Sequence, residues 1–176
     1  MKLRPKDPLL AAASGIALLG QGLSVVVAGA TLIAAPVLFF LRDQVLTALS
    51  SEAGHAMPGS TVVAIALILL LVAAMAICAF VFLRHLRRII DSVGHGDPFA
   101  PVNARRLAAM AWLTLAIEGL SIPVGGIGQW LAATIKDATS DFGISVGGVL
   151  LALILFILAR VFREGARMRD DLEGTV

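Results

Sequence analysis

From Thr61 to Leu83 the chain reads TVVAIALILLLVAAMAICAFVFL, without one charged side chain. A bilayer's hydrocarbon core, about 30 Å thick, is crossed by roughly 20 helical residues, and a helix satisfies its own backbone polar groups where water is absent. The run therefore predicts a spanning helix over residues 61–83. Three other stretches meet the same requirement. Residues 142–162 are uncharged from Phe142 to Ala159 and continue through Val161 and Phe162, with Arg160 reaching back toward the headgroups. Residues 107–135 are overlong and contain Glu118. Residues 9–41 are diluted by Ser14, Gln21 and Ser24, and Pro36 is expected to bend the outer end. The excess length of this first segment implies tilt or a short surface helix at its start.

Composition supports that class: 59% of residues are hydrophobic and 15% charged, far from the balance of soluble domains. The expected fold is all-α, a polytopic membrane protein of four transmembrane helices with amphipathic cytoplasmic helix extensions. Residues 1–176 form one domain, with a loop at 84–106 and a tail at 163–176. MKLRPK followed by AGA at Ala28 to Ala30 imitates a cleaved leader, but the apolar run continues through TLIAAPVLFFL, so an uncleaved anchor is expected. The single cysteine, Cys78, leaves no intramolecular disulfide to form and reads as a small hydrophobe.

Orientation follows from the basic residues, which favour the cytoplasmic side of a membrane. Lys2, Arg4 and Lys6 precede the first segment; Arg84, Arg87, Arg88, Arg105 and Arg106 separate the second from the third; Arg160, Arg163, Arg167 and Arg169 follow the fourth. The other two connections hold only Arg42 and Lys136, so twelve basic residues stand against two and predict both termini inside. RDQVLTALSSEAGHAMPGS is expected as a loop of modest size on the opposite side, beside the short turn KDATSD. Neither has room for a catalytic domain.

Between the second and third spans, Phe82, Leu86, Ile89 and Val93 recur at helical spacing while Arg84, Arg87, Arg88 and Asp91 gather on the other side. An amphipathic continuation of the second helix is expected. GHGDPF then breaks it through Gly94, Gly96 and the Asp97-Pro98 turn signal, and Asn103 is expected to cap the third helix.

GHGDPFAPVNARRLAAMAW, followed far downstream by FREGARMRDDLEGTV, resembles the bacterial membrane proteins grouped as the domain of unknown function 2975 family. The family pattern is a Gly-x-Pro-Phe turn leading to an Asn and an Arg, which Gly96, Pro98, Phe99, Asn103 and Arg106 fit. A C-terminal motif follows, fitted by Phe162, Arg163, Gly165, Asp171, Leu172, Glu173, Gly174, Thr175 and Val176. Met168 stands where the pattern has Leu. The resemblance implies a multi-pass protein of the bacterial inner membrane with no established biochemical activity. Its genes often neighbour one for a small helix-turn-helix transcription regulator, which implies a membrane partner for such a regulator.

The polar ends carry two readings side by side. Arg160, Arg163 and Arg167 share a helix face, and Asp170, Asp171 and Glu173 make an acidic tip. Such an arm can dock a basic DNA-binding helix, or pair with Arg84, Arg87 and Arg88. Equally, the Arg residues can contact membrane lipid headgroups while the acids keep the end solvated. Inside the membrane, Glu118 is expected to lie at a depth similar to that of Gln21, where its carboxyl is protonated, hydrogen-bonded or facing a wet cavity. It reads either as a proton- or cation-sensitive switch or as interhelical glue, and as the path of a small transporter in the rival functional reading. Gly143, Gly147 and Gly148 offer a small-residue packing face, and homo-oligomers through Gly faces are compatible with it. Pro123, Gly125, Gly126 and Gly128 suggest that the outer half of the third helix is kinked or locally unwound.

His55, His85 and His95 are scattered without metal-ligand spacing, and no nucleophile elbow, phosphate loop or paired-acid motif occurs. The sequence therefore predicts neither enzyme nor cofactor nor metal site. Direct nucleic-acid binding is not expected either, because the Arg residues lie close to the lipid surface. Trp112 and Trp130 read as interfacial anchors.

Overall fold

The structure is a computed structural model in which residues 8–134 and 145–173 are described; 91% of these residues are helical and none is in a strand. Five helices succeed one another: α1 (Pro8–Phe40), α2 (Arg42–Ala53), α3 (Ser60–Gly94), α4 (Pro101–Thr134) and α5 (Val146–Glu173). Of these, α1, α3, α4 and α5 are long and apolar enough to cross a membrane. The all-α class and the four long apolar helices agree with the sequence expectation. Lys2, Arg4, Lys6, Lys136, Phe142, Gly143, Gly174 and Thr175 lie outside the described residues.

Three local expectations are corrected. The stretch after the first span, expected as a loop, folds into α2. Leu41 interrupts the helix with φ −98° and ψ 16°, and the chain then winds again from Arg42. Good helix formers such as Leu, Ala, Gln and Glu fill this segment, and neither Pro nor Gly occurs before Gly54. Gly54 ends it in the left-handed conformation at φ 70°, its amide donating to Ser50 O. No residue of α2 is buried, so no apolar periodicity marked it in the sequence.

Second, α4 remains helical through Pro123, Gly125, Gly126 and Gly128, with no unwound segment. Pro36 likewise stands inside an unbroken α1. Third, α4 begins at Pro101, so Asn103 is inside its first turn and is not its cap. Proline is pre-organised for the first helical position and sets the start earlier than Asn103 would.

Packing is inverted relative to a soluble bundle. The buried apolar residues are mostly alanines, among them Ala17, Ala73, Ala111, Ala152 and Ala159. Large side chains face outward instead: Ile16, Leu19, Ile33 and Phe40 of α1 are 70%, 77%, 68% and 85% exposed. Small residues at helix contacts and large apolar ones outside are what a lipid solvent selects, since lipid gives no reason to hide Leu but close approach of backbones gains dispersion energy.

The chain divides into two compact units, and the division falls within α1, α3 and α4. The first comprises residues up to Leu23, Cys78–Ala116 and those from Val146 onward. Its core is Leu107, Met110 and Ala111 of α4 against Leu155 and Ala159 of α5, flanked by Phe82, Leu86 and Ile89 of α3. On α5 the buried stripe Ala152, Leu155, Ala159 and Ala166 has helical spacing, with alanine at every seventh residue. Gly20 of α1 belongs here too, because a β-carbon at that position would stand 2.8 Å from Leu83 Cδ1.

The second unit comprises Ser24–Ile77 and Ile117–Ser145. Ala35, Met57, Val62, Ala73, Ala76 and Val124 are buried in it. Val63 and Leu67 of α3 face Gly126 and Trp130 of α4 across an open apolar groove of about 430 Å³.

Candidate functional site

At the end of α3 the backbone closes a Schellman turn. Gly96 takes φ 86°, its amide donates to Val93 O at 3.0 Å, and the Asp97 amide donates to Ser92 O at 3.2 Å. Those two bonds satisfy carbonyls that a helix end leaves bare, and the left-handed φ is the reason a glycine stands there. The Ser92 hydroxyl closes the same turn by donating to Asp97 O at 2.7 Å.

Asn103 locks this turn to α4. Its side chain is fully buried, and Nδ2 donates to Ser92 Oγ at 2.6 Å and to Pro98 O at 3.0 Å. Its Oδ1 accepts from Arg106 Nη1 at 2.9 Å, and the same guanidinium donates to Arg88 O on α3 at 3.1 Å. An amide side chain is suited to this position because it both donates and accepts, so one buried residue serves the turn and the arginine at once. The cap expected at Asn103 is replaced by a tertiary clamp.

The face of α5 at positions i, i+3 and i+7 closes over the turn. Phe162 meets Phe99 with ring centroids 5.3 Å apart and a tilt of 43°. Gly165 lets the Phe99 ring approach, and Arg169 Nη1 pairs with Asp97 Oδ1 at 2.6 Å. The motif residues Gly96, Pro98, Phe99, Asn103, Arg106, Phe162 and Gly165, far apart in sequence, thus meet in one cluster within the first unit. Sequence reasoning missed Ser92 and the Asp97–Arg169 pair; the only available signal was that Phe162, Gly165 and Arg169 fall on one helix face.

Around this cluster, Arg84, Arg88, Arg105 and Arg163 are exposed and Arg87 is half-buried. Arg167 pairs with Glu164 at 3.6 Å. Asp171 is exposed, whereas the side chains of Asp170 and Glu173 lie outside what is described. His85, just beyond the apolar run of α3, has a buried Nδ1 without a hydrogen-bond partner.

Glu118 belongs to the second unit, Gln21 to the first. Gln21 is buried; Glu118 is half-buried and its Oε2 accepts from the Ser145 amide at 2.9 Å. Ser145 belongs to the same unit as Glu118, and the carboxyl there satisfies a backbone donor that lies outside any helix. Gly147 is exposed and Gly148 half-buried in the first turn of α5.

A family model described as a protein of unknown function, DUF2975, matches residues 47–176. No curated protein and no solved structure matches the chain.

Proposed function

We propose that this chain, which belongs to the DUF2975 family, is a bacterial inner-membrane protein that acts as a non-enzymatic regulatory or sensory partner of a small cytoplasmic helix-turn-helix transcription regulator. In this reading both termini, the 94–100 turn and the end of α5 face the cytoplasm. The twelve-to-two bias of basic residues supports that orientation.

One observation carries the functional reading. Motif residues Phe99, Phe162 and Gly165, together with Asp97 and Arg169, fasten the last turns of α5 to the α3–α4 turn: Phe162 on Phe99, Gly165 beneath it, Arg169 on Asp97. Such a cluster holds a surface in place, and the exposed charges around it, Arg84, Arg88, Arg105, Arg163 and Asp171, are suited to recognising a charged protein. A regulator held here would be withheld from DNA, since the acidic end of α5 competes for the same basic helix.

The test is purification after cross-linking in native membranes, using the intact chain and one truncated after Arg169. A small helix-turn-helix protein retained by the first and lost from the second supports the reading. If neither holds one, the reading fails. Ion or solute flux through the reconstituted protein, abolished by Glu118→Gln, would favour the rival transporter reading.

A further inference from the structure

Gly126 of α4 stands bare where no neighbour asks for it. At Gly20 and Gly165 the missing β-carbon lets another side chain approach, whereas a β-carbon at Gly126 would meet nothing within 4 Å. Here the missing side chain leaves space, not contact. Gly15, Gly22, Gly29 and Gly119 are equally open, and what sets Gly126 apart is a wall on either side of it. Val63 and Leu67 of α3 and Ile127 and Trp130 of α4 flank the groove of about 430 Å³, with Ala64 and Gly126 as its small residues. Val63, Leu67 and Trp130 are 58%, 45% and 44% exposed, so the groove opens to the outside of the bundle.

All of these residues belong to the second unit, at the start of one long apolar helix and the end of another. Ser60 opens α3 and Trp130 stands one turn before the end of α4, so one end of the groove is level with the headgroups and the rest descends into hydrocarbon. From Ser60 to Leu67 the groove runs roughly 10 Å at 1.5 Å per residue. Its mean cross-section is then roughly 40 Å², against about 80–110 Å² for a helix 10–12 Å across. A second helix is too thick to seat in it, and a hydrocarbon chain is not. Apart from Ser60 the lining is apolar, and none of it is charged. Nothing in the groove grips a phosphate or a free carboxylate, so the polar head of the occupant stays in the headgroup layer.

We propose that the groove between α3 and α4, floored by Ala64 and Gly126, is a binding site for one acyl chain of a membrane phospholipid, whatever its headgroup. The site rests on the reading of α3 and α4 as membrane spans and is independent of the regulator partner. A chain seated there wedges the start of α3 from the end of α4, so the spacing of the two helices follows the lipid that fills it.

The experiment uses the full chain in neutral detergent, delipidated and then exposed to phosphatidylglycerol, to phosphatidylcholine, or to oleate. Native mass spectrometry counts retained lipid, and one phospholipid per chain is expected with no preference between the two headgroups. Gly126→Leu fills the groove without meeting a neighbour and should cut retention about tenfold. Val63→Trp, which fills it from the opposite wall at an exposed position, should do the same. Gly119→Leu, at an equally open glycine that does not line the groove, should change nothing. A second readout is fluorescence in phosphatidylcholine vesicles, with Trp112→Phe leaving Trp130 as the one Trp in a chain without Tyr. Phosphatidylcholine brominated on its acyl chains should quench Trp130 at a severalfold lower mole fraction than in the same chain carrying Gly126→Leu. Retention of oleate without phospholipid would make the occupant a free fatty acid, and dimers dissolved by Gly126→Leu would make it a second copy. Either result overturns the proposal, as does no retention in the parent or retention unchanged in both filled variants. Because no regulator is present, this outcome is separable from the fate of the partner reading.

Discussion

The ring of Phe99 lies against Gly165 so closely that a β-carbon there would stand 2.8 Å from Cδ1 and 3.0 Å from Cε1. Phe99 belongs to the turn before α4 and Gly165 to the last third of α5, and the hydrogen atom of glycine is what allows them to meet. Gly165→Ala should therefore push the ring aside and destabilise the first unit by about 1–3 kcal/mol, the range of overpacking a fitted contact. Thermal unfolding in detergent checks this, and Phe99→Ala in the same chain should remove most of the penalty of the alanine. An additive double variant would mean that the two residues do not share a contact.

Asn103 makes three side-chain hydrogen bonds while fully buried. Replacing it with Leu keeps similar bulk but leaves Ser92, Pro98 O and Arg106 without it, at a cost of about 1–3 kcal/mol or more for each buried group left unpaired. The variant should melt earlier than Ser92→Ala, which loses a smaller part of the same network. Equal melting temperatures would remove Asn103 from the centre of the cluster.

Much of this architecture is legible in the sequence, for identifiable reasons. A run such as Thr61–Leu83 has one physical solution in lipid, so the long apolar helices announce themselves. The turn residues Gly96 and Pro98 carry their own backbone requirements and are equally plain. What the chain does not reveal locally is pairing between distant segments: nothing near Asp97 points to Arg169, and nothing near Asn103 points to Ser92. Helix α2 stayed hidden because its polar residues bury nothing and so leave no periodic trace. The partner of Glu118 was hidden for a different reason, since Ser145 takes part through its backbone amide, which every residue but proline possesses.

The Asp97–Arg169 pair is nearly half exposed on both sides, at 46% and 47%. Its contribution to global stability should be only about 0.2–1 kcal/mol and should shrink with salt. Its effect on the last turn of α5 should be larger in relative terms, because helix ends have little else to hold them. Asp97→Asn should raise proteolytic cleavage after Arg169 without moving the melting temperature by more than a few degrees. Exchanging the charges, Asp97→Arg with Arg169→Asp, should restore protection. Persistent cleavage in the exchanged variant would rule out the pair as the fastener.

In the second unit, Glu118→Gln keeps an oxygen that can accept from the Ser145 amide, whereas Glu118→Ala does not. Hydrogen exchange at the Ser145 amide should be close to the parent in the first variant. In the second it should be roughly five- to tenfold faster, the equivalent of about 1–1.5 kcal/mol for a hydrogen bond. Equal acceleration in both would point to the negative charge of the carboxylate, not to the bond itself. The two variants also separate this local role from any proton-driven response, which should disappear in both if the carboxyl is the sensor, whereas the hydrogen bond is lost only in Glu118→Ala.

The alanines that recur every seventh residue along the buried stripe of α5 have a mechanical consequence. A seam built mostly of methyl groups lets two rods lie close, and Leu155, packed with Leu107 and Met110, is its one large tooth. Alignment has further keys beyond that tooth. Phe99 seated over Gly165 and Asp97 hooked to Arg169 act as a peg in a slotted shaft, so the lengthwise setting of α5 is keyed at its charged end as well as by Leu155 along its apolar length.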